Sequence, residues 1–394
     1  MKFLWLLGGN LIYALSQWLI LVILARFFST AEVGEYFFSL ALVAPLALLF
    51  SLKLPNLVIT MDEAITTPKN VFGFRFVLSL FLILVVYVLY YLFFKENTSF
   101  IILNCILFYK ILEQYDDLIV AYYQKNIKFK KIFLVKFFRS ILYCFSIMIS
   151  VFYIDNFYFS ILIATLLYSA IWLIKNLRYI YLPFFHYPII KSFLKNGLYL
   201  SVSSSLSSLS VSGVRLYIGY VLGSSLLAIY GVISYSLIAF SIIVSALGQY
   251  FLPLFVKSKS DEKNFYKEII RSQLIVFSIC LCFIIISYLY GDALLKIFYG
   301  NQYQNYGFYL CLIFIANLFK SSSALLGTAM TALKFYNFQL KLTLISLFIT
   351  ILITPILIIN YNILGAFLSL LIANFIEWLL YVFFVRKKSI GVLW

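Results

Sequence analysis

Charged residues are scarce in this chain: Asp, Glu, Lys and Arg make up 11% of its 394 residues, against roughly 25% in soluble globular domains. So little polar surface cannot cover a water-facing core, which excludes a soluble enzyme, a secreted disulfide scaffold and a disordered tail. Histidine is almost absent. The single one, His186, stands beside aromatic residues in a connecting segment, so no Ser-His-Asp or Cys-His constellation can be assembled, and interfacial packing is its expected role. The five cysteines, Cys105, Cys144, Cys280, Cys282 and Cys311, are an odd number within apolar runs and suit small buried residues rather than a disulfide framework. Cys280 and Cys282, two apart, would leave a helix on different sides and make no metal site. No G-x-x-x-x-G-K-[ST] phosphate loop occurs, so ATP hydrolysis is not expected. Long outer loops are lacking too, the longest expected one being 291–306, which leaves a membrane polymerase or glycosyltransferase little room for an active site. These absences predict a protein that is not an enzyme, with no catalytic residue, no metal and no cofactor.

What is present is apolar: 64% of the residues are hydrophobic. A bilayer core of about 30 Å needs roughly 20 consecutive apolar residues per helix. Runs of that kind fall at 4–25, 36–53, 75–94, 99–122, 135–154 and 157–175, then at 198–222, 227–253, 272–290, 307–332, 340–359 and 362–384. They are continuous and lack the alternation of a lipid-facing barrel. The expected fold is therefore an all-α polytopic membrane protein with about 12 transmembrane helices. Pro45 and Pro355 fall inside spans, where kinks are tolerated if neighbours satisfy the freed carbonyls. The first run is too long for a signal h-region and is expected to be a retained helix.

The formal charge of +16 is a matter of placement. In this reading 24 of the 30 basic residues lie at the termini or in even-numbered loops, Arg75 and Arg139 among them. Cytoplasmic loops attract Lys and Arg, so both termini are expected to face the cytoplasm. Basic stretches such as 125–131 read as orientation signals and contacts to membrane lipids, not as nucleic-acid sites.

The chain also divides near its midpoint. Tyr36 and Tyr230 occupy corresponding places after the first helix of each half, and Lys110 and Lys320 each lie in the fourth helix of a half. Duplication predicts two pseudo-symmetric six-helix lobes, 1–190 and 191–394, around a central cavity, with the substrate near the midplane.

An ionisable group at a helix centre costs about 2.5–3.5 kcal/mol on insertion scales, so each survivor needs a reason. Lys110, Glu113 and Asp117 share one helical face at spacings of three and four, with Gln114, Asp116 and Gln124 nearby. The bland alternative is a Lys–carboxylate pair that only cancels charge. Further on stand Arg215, Lys320 and Glu377, with Asn317 and Asn374 each three residues before a charge. Arg215 could also snorkel outward. Residues 201–212 contain eight serines, suiting either close helix packing or a hydroxyl-lined wall.

At this point the sequence resembles a family. Asn10 and Tyr13 through Gln17-Trp18, Thr30 to Tyr36, Ala44-Pro45 and Ser51 to Asn56 are similar to bacterial O-antigen flippases of the multidrug/oligosaccharidyl-lipid/polysaccharide exporter superfamily. Glu113-x-x-Asp116 with Gln124, Ala246 to Gln249 with Leu252-Pro253, and Gly291 with Tyr299-Gly300 extend the likeness. The resemblance implies two lobes that open alternately and a cargo of undecaprenyl-pyrophosphate-linked oligosaccharide, moved from the cytoplasmic to the periplasmic leaflet. It also allows partners among polysaccharide polymerase and chain-length machinery. A diphosphate needs cations in a desolvated cavity. The expectation is that Lys110, Arg215 and Lys320, with Arg26 near the outer end of the first helix, hold it, while Glu113, Asp116, Asp117 and Glu377 compensate charge or couple to an ion gradient. The alternatives are a multidrug or organic-cation antiporter of the same superfamily and a membrane polysaccharide polymerase.

Overall fold

The computed structural model describes residues 2–181, 186–258, 261–333 and 335–389. Among these residues every regular element is helical: α1 (Lys2–Phe27), α2 (Thr30–Phe50), a short α3 (Leu54–Thr60), α4 (Pro68–Leu89), α5 (Phe100–Lys125), α6 (Phe129–Tyr153) and α7 (Phe157–Asn176). The series continues with α8 (Tyr187–Val221), α9 (Ser224–Ser258), α10 (Glu262–Tyr299), α11 (Gly307–Ala332) and α12 (Tyr336–Ser389). Helix α12 runs for 54 residues and is broken at Asn362, whose φ of 51° and ψ of −133° interrupt the ladder. Its arms are the expected spans 340–359 and 362–384, so twelve long helical stretches stand where twelve were expected; among the described residues eight helices, α12 counted as one, are long and apolar enough to cross a membrane. Helix α5 is less apolar than most because Lys110, Glu113, Asp116 and Asp117 interrupt it, and α8 because of its serines.

Short polar residues start many of these helices. Ser29 and Glu32 form a capping box, each side chain bonding the other's backbone N–H at the head of α2. Thr67, Ser99, Asn156 and Asp261 accept first-turn N–H groups at α4, α5, α7 and α10. Two helix starts differ from the sequence reading. The third expected span begins at 75, but α4 starts at Pro68, a residue suited to the first turn. The fifth begins at 135, but α6 starts at Phe129. Arg75 and Arg139, assigned to loops, therefore lie inside helices. The long outer loop at 291–306 is instead the last turns of α10 and a 3₁₀ turn, Asn301–Tyr306. His186 is the exposed residue preceding α8. Lys259 and Lys334 lie outside the described residues.

By internal packing the chain divides into two compact units, Met1–Ala228 and Ile229–Trp394. In the first, α1 lies along α6, α2 along α8, and α5 touches α2, α3, α4, α6 and α7. The α2–α8 approach relies on small residues, as Ser205 Oγ donates to the Pro45 carbonyl at 2.9 Å. Most other hydroxyls of the serine run bond carbonyls of α8 itself, which favours the packing role over a hydroxyl-lined wall. Gly34 permits a still closer approach: a Cβ there would stand 1.8 Å from the Ser224 carbonyl oxygen. In the second unit α11 packs on both α10 and α12, and Phe251, Phe255, Phe265, Met330 and Tyr381 share one buried cluster.

Candidate functional site

Helix α5 carries the densest polar stripe, and the structure joins most of it through a residue that sequence reasoning passed over. Lys110 Nζ bonds Glu113 Oε2 at 2.7 Å, the spacing of three bringing both groups to one face. Arg139 of α6 sits beneath them. Its Nη1 lies 3.0 Å from Asp117 Oδ1, its Nη2 3.8 Å from Glu113 Oε1, and its guanidinium stacks 4.5 Å over the Tyr13 ring. The Tyr13 hydroxyl also donates to Glu113. Lys110, Arg139, Glu113 and Asp117 thus form a network with equal numbers of cations and carboxylates. Only Asp117 in it is substantially open, its side chain 46% exposed against 4% for Arg139.

Asp116 does not join them. One residue further round the helix it turns to α7, where Trp172 Nε1 donates at 2.8 Å and the Tyr168 hydroxyl approaches at 3.5 Å. It is buried. Above it Tyr109 stacks on Tyr143 at 4.0 Å and accepts from Gln17 Nε2 at 2.8 Å, continuing a polar layer from α1 to α7.

The lower half of the stripe opens on space. Gln114, Asp117 and Gln124 of α5 line a cavity of about 260 Å³ with Lys53, Arg75 and Lys136; a single water needs about 10–15 Å³. Lys53 is brought there by a turn in which both Leu52 (φ 43°) and Lys53 (φ 47°) are left-handed. Gly197 of α8 presses on that turn, since a Cβ there would meet the Leu52 carbonyl oxygen at 2.2 Å. Arg75 is 1% exposed and gives Nη1 to the carbonyl of Phe50, the last residue of α2, at 2.9 Å. A cation there complements the helix's negative end.

In the second unit, Lys320 of α11 gives Nζ to both oxygens of Glu377 on α12, at 3.0 and 2.9 Å. Ser346 Oγ adds a bond at 2.9 Å to Oε2, and Asn374 Nδ2 ties the same arm to the Ala316 carbonyl at 3.2 Å. Arg215 does not snorkel outward. It is buried in α8 with its guanidinium 5.7 Å from the Phe37 ring centre. Arg26 is exposed in the last turn of α1.

Helices throughout the described residues, ion pairs inside apolar helices and a polar-lined recess define a polytopic all-α membrane protein with a transporter fold. The chain belongs to the family described as polysaccharide biosynthesis protein, which it matches over residues 23–307. It is 26% identical over 392 residues to the capsular polysaccharide biosynthesis protein CapF of Staphylococcus aureus, covering 96% of this chain and 97% of that one. A Shigella flexneri protein assigned as an O-antigen transporter is 29% identical over 130 residues, 33% of this chain and 31% of the relative. Among solved structures the fold is similar to the lipid II flippase MurJ in an inward closed conformation, with a TM-score of 0.78 at 15% identity, covering 98% of this chain and 88% of that chain. An inward-facing MATE multidrug transporter of the MOP superfamily gives 0.61 at 13% identity, covering 100% and 95%.

Proposed function

We propose that this protein is a flippase for an undecaprenyl-pyrophosphate-linked oligosaccharide repeat unit of a capsule or O-antigen, carried from the cytoplasmic to the periplasmic leaflet. The observation that carries the reading is the family match across residues 23–307 in a chain whose fold follows a lipid II flippase over 98% of its length. The whole-length likeness to CapF supports a surface-polysaccharide cargo. The protein would stand in a bacterial cytoplasmic membrane with both termini in the cytoplasm, as the distribution of Lys and Arg implies. A repeat of two six-helix lobes, 1–190 and 191–394, would supply alternating access.

In this proposal Lys110, Lys320, Arg215 and Arg26 contact the diphosphate during the cycle, and Glu113, Asp116, Asp117 and Glu377 balance charge or couple to an ion gradient. The pairs support it: Lys110 and Lys320 each hold a carboxylate in this state, and exchange of that carboxylate for phosphate would keep the lysine paired. An antiporter of organic cations needs its carboxylates for cargo, whereas Glu113 and Glu377 are already occupied by lysine. Deleting the gene should remove displayed polysaccharide, with complementation restoring it. Neutralising Lys110 and Lys320 together at normal protein level should do the same. Drug sensitivity without a glycan defect would instead mark an antiporter, and display of single repeats a polymerase.

A further inference from the structure

The cavity between α2, α3, α4, α5 and α6 contains a cation whose binding capacity is largely unused. Arg75 lies two turns inside α4, and only Nη1 has a hydrogen bond, to Phe50 O at 2.9 Å. Its Nε and Nη2 are buried without any partner. Those two nitrogens form one edge of the guanidinium, the side-on fork that accepts two oxygens of a carboxylate or phosphate at once. A charged donor left unsatisfied in a protein interior is costly, so a fork of this kind calls for an anion.

The surroundings select the anion. Lys53 and Lys136 stand on the same wall as Arg75, and Asp117 is the acid among the residues that line it. Asp117 is itself engaged by Arg139 at 3.0 Å, while Lys136 Nζ reaches Asn10 Oδ1 at 2.5 Å. Gln114 gives its amide to the Ala47 carbonyl at 2.5 Å. The recess therefore carries excess positive charge, and the Asn56 and Gln124 amides on its lining can donate to further oxygens. It lies at the end of α5 that leads into the basic segment 125–131, the end assigned to the cytoplasm. Cargo assembled on the cytoplasmic face would meet this recess before the deeper pairs.

The geometry points to a diphosphate-capture site on the first unit, in which the Nε/Nη2 edge of Arg75 takes two phosphate oxygens while Lys53 and Lys136 neutralise the rest of the head group. It rests on the flippase reading for the identity of the cargo, but it adds residues that this reading did not name. Arg75 here is a substrate-binding residue, and Lys110 and Lys320 remain the later partners.

The test is direct binding of farnesyl pyrophosphate to the full-length protein in neutral phosphatidylcholine nanodiscs, with farnesol as the phosphate-free control. Arg75→Gln should weaken binding about tenfold or more, the effect of losing a charge-assisted bond. Arg75→Lys, which keeps the charge without the fork, should recover only part of it. Asp117→Asn should tighten binding, and farnesol binding should not change. Equal affinity in wild type and Arg75→Gln would overturn the site. If Arg75→Gln does not fold, Lys53→Gln and Asp117→Asn decide. Weaker and tighter binding respectively support the site, and no change in either overturns it. Phosphatidylglycerol placed in the disc tests the other source of phosphate. If it displaces farnesyl pyrophosphate, the recess holds a lipid head group and the cargo assignment fails. A deletion strain with unchanged surface polysaccharide would refute the flippase reading alone, whereas Arg75-independent binding refutes the capture site alone.

Discussion

Replacing Lys320 by Met and Glu377 by Gln should have very different costs, although the two residues form one ion pair. What decides is the group left behind. Lys320→Met strands Glu377, whose side chain is 7% exposed, with the Ser346 hydroxyl still bonding Oε2 at 2.9 Å. Removing one member of a buried pair costs about 3–5 kcal/mol. The retained Ser346 bond places this case near the lower end, about 3 kcal/mol. Glu377→Gln strands Lys320 instead, and its side chain is 55% exposed. An intramembrane ammonium that open faces the bundle interior or a water-filled space, so the loss should be that of an exposed pair, about 0–1 kcal/mol. The glutamine amide still accepts from Ser346. The double variant leaves no charge uncompensated and should lie close to Glu377→Gln. A difference of about 2 kcal/mol corresponds to roughly 4–8 °C in a unit of this size. Thermal unfolding of the detergent-solubilised protein, followed by tryptophan fluorescence from Trp378 beside Glu377, measures the order. If Glu377→Gln unfolds at or below the temperature of Lys320→Met, or the double variant is worse than Lys320→Met, the exposure argument is wrong.

Four other outcomes follow from the first unit. Arg139→Met should cost about 2–3 kcal/mol, less than a bare buried pair because Asp117 can hydrate and Glu113 keeps Lys110 and Tyr13; the melting temperature of the full chain reads it. Trp172→Phe removes the 2.8 Å donor to buried Asp116 and should cost about 1.5–3 kcal/mol, visible as lower yield and melting temperature, whereas retained stability would show that Asp116 does not depend on that bond. Gly34→Ala forces a methyl to 1.8 Å from the Ser224 carbonyl and should cost about 3 kcal/mol or more by overpacking. Gly213→Ala, with nothing within 4 Å of its new Cβ inside α8, should stabilise by about 0.5–1 kcal/mol.

The fold was legible because lipid demands it: every backbone group must be satisfied within the segment, so long continuous apolar runs become helices. Charge pairing within one helix was legible for the same local reason, and Lys110 with Glu113 is the case. Pairing between helices was not. Lys320 and Glu377 lie 57 residues apart, and no spacing rule says which turn of α12 faces which turn of α11. Asp116 shows the converse, since an adjacent residue on the same stripe turned to an indole on another helix.

The more consequential error concerns depth. Orientation rules treat every Lys or Arg near a helix end alike, so Arg75 and Arg139 were absorbed into the count that sets topology. At 1.5 Å per residue, Arg75 lies about 10 Å inside α4 and Arg139 about 15 Å inside α6, from starts at Pro68 and Phe129. Both therefore stand well inside their helices, two to three turns beyond the loops before them. For Arg75 the signal that could have found it is the cap. Thr67-Pro68 marks a helix start seven residues before Arg75, and a start placed there turns the arginine from a loop charge into an intramembrane one. An intramembrane charge must be matched. Arg139 is matched by Glu113 and Asp117, and Arg75 on its Nε/Nη2 edge is not. The same physics that makes the first arginine structural therefore makes the second a place for an anion to bind.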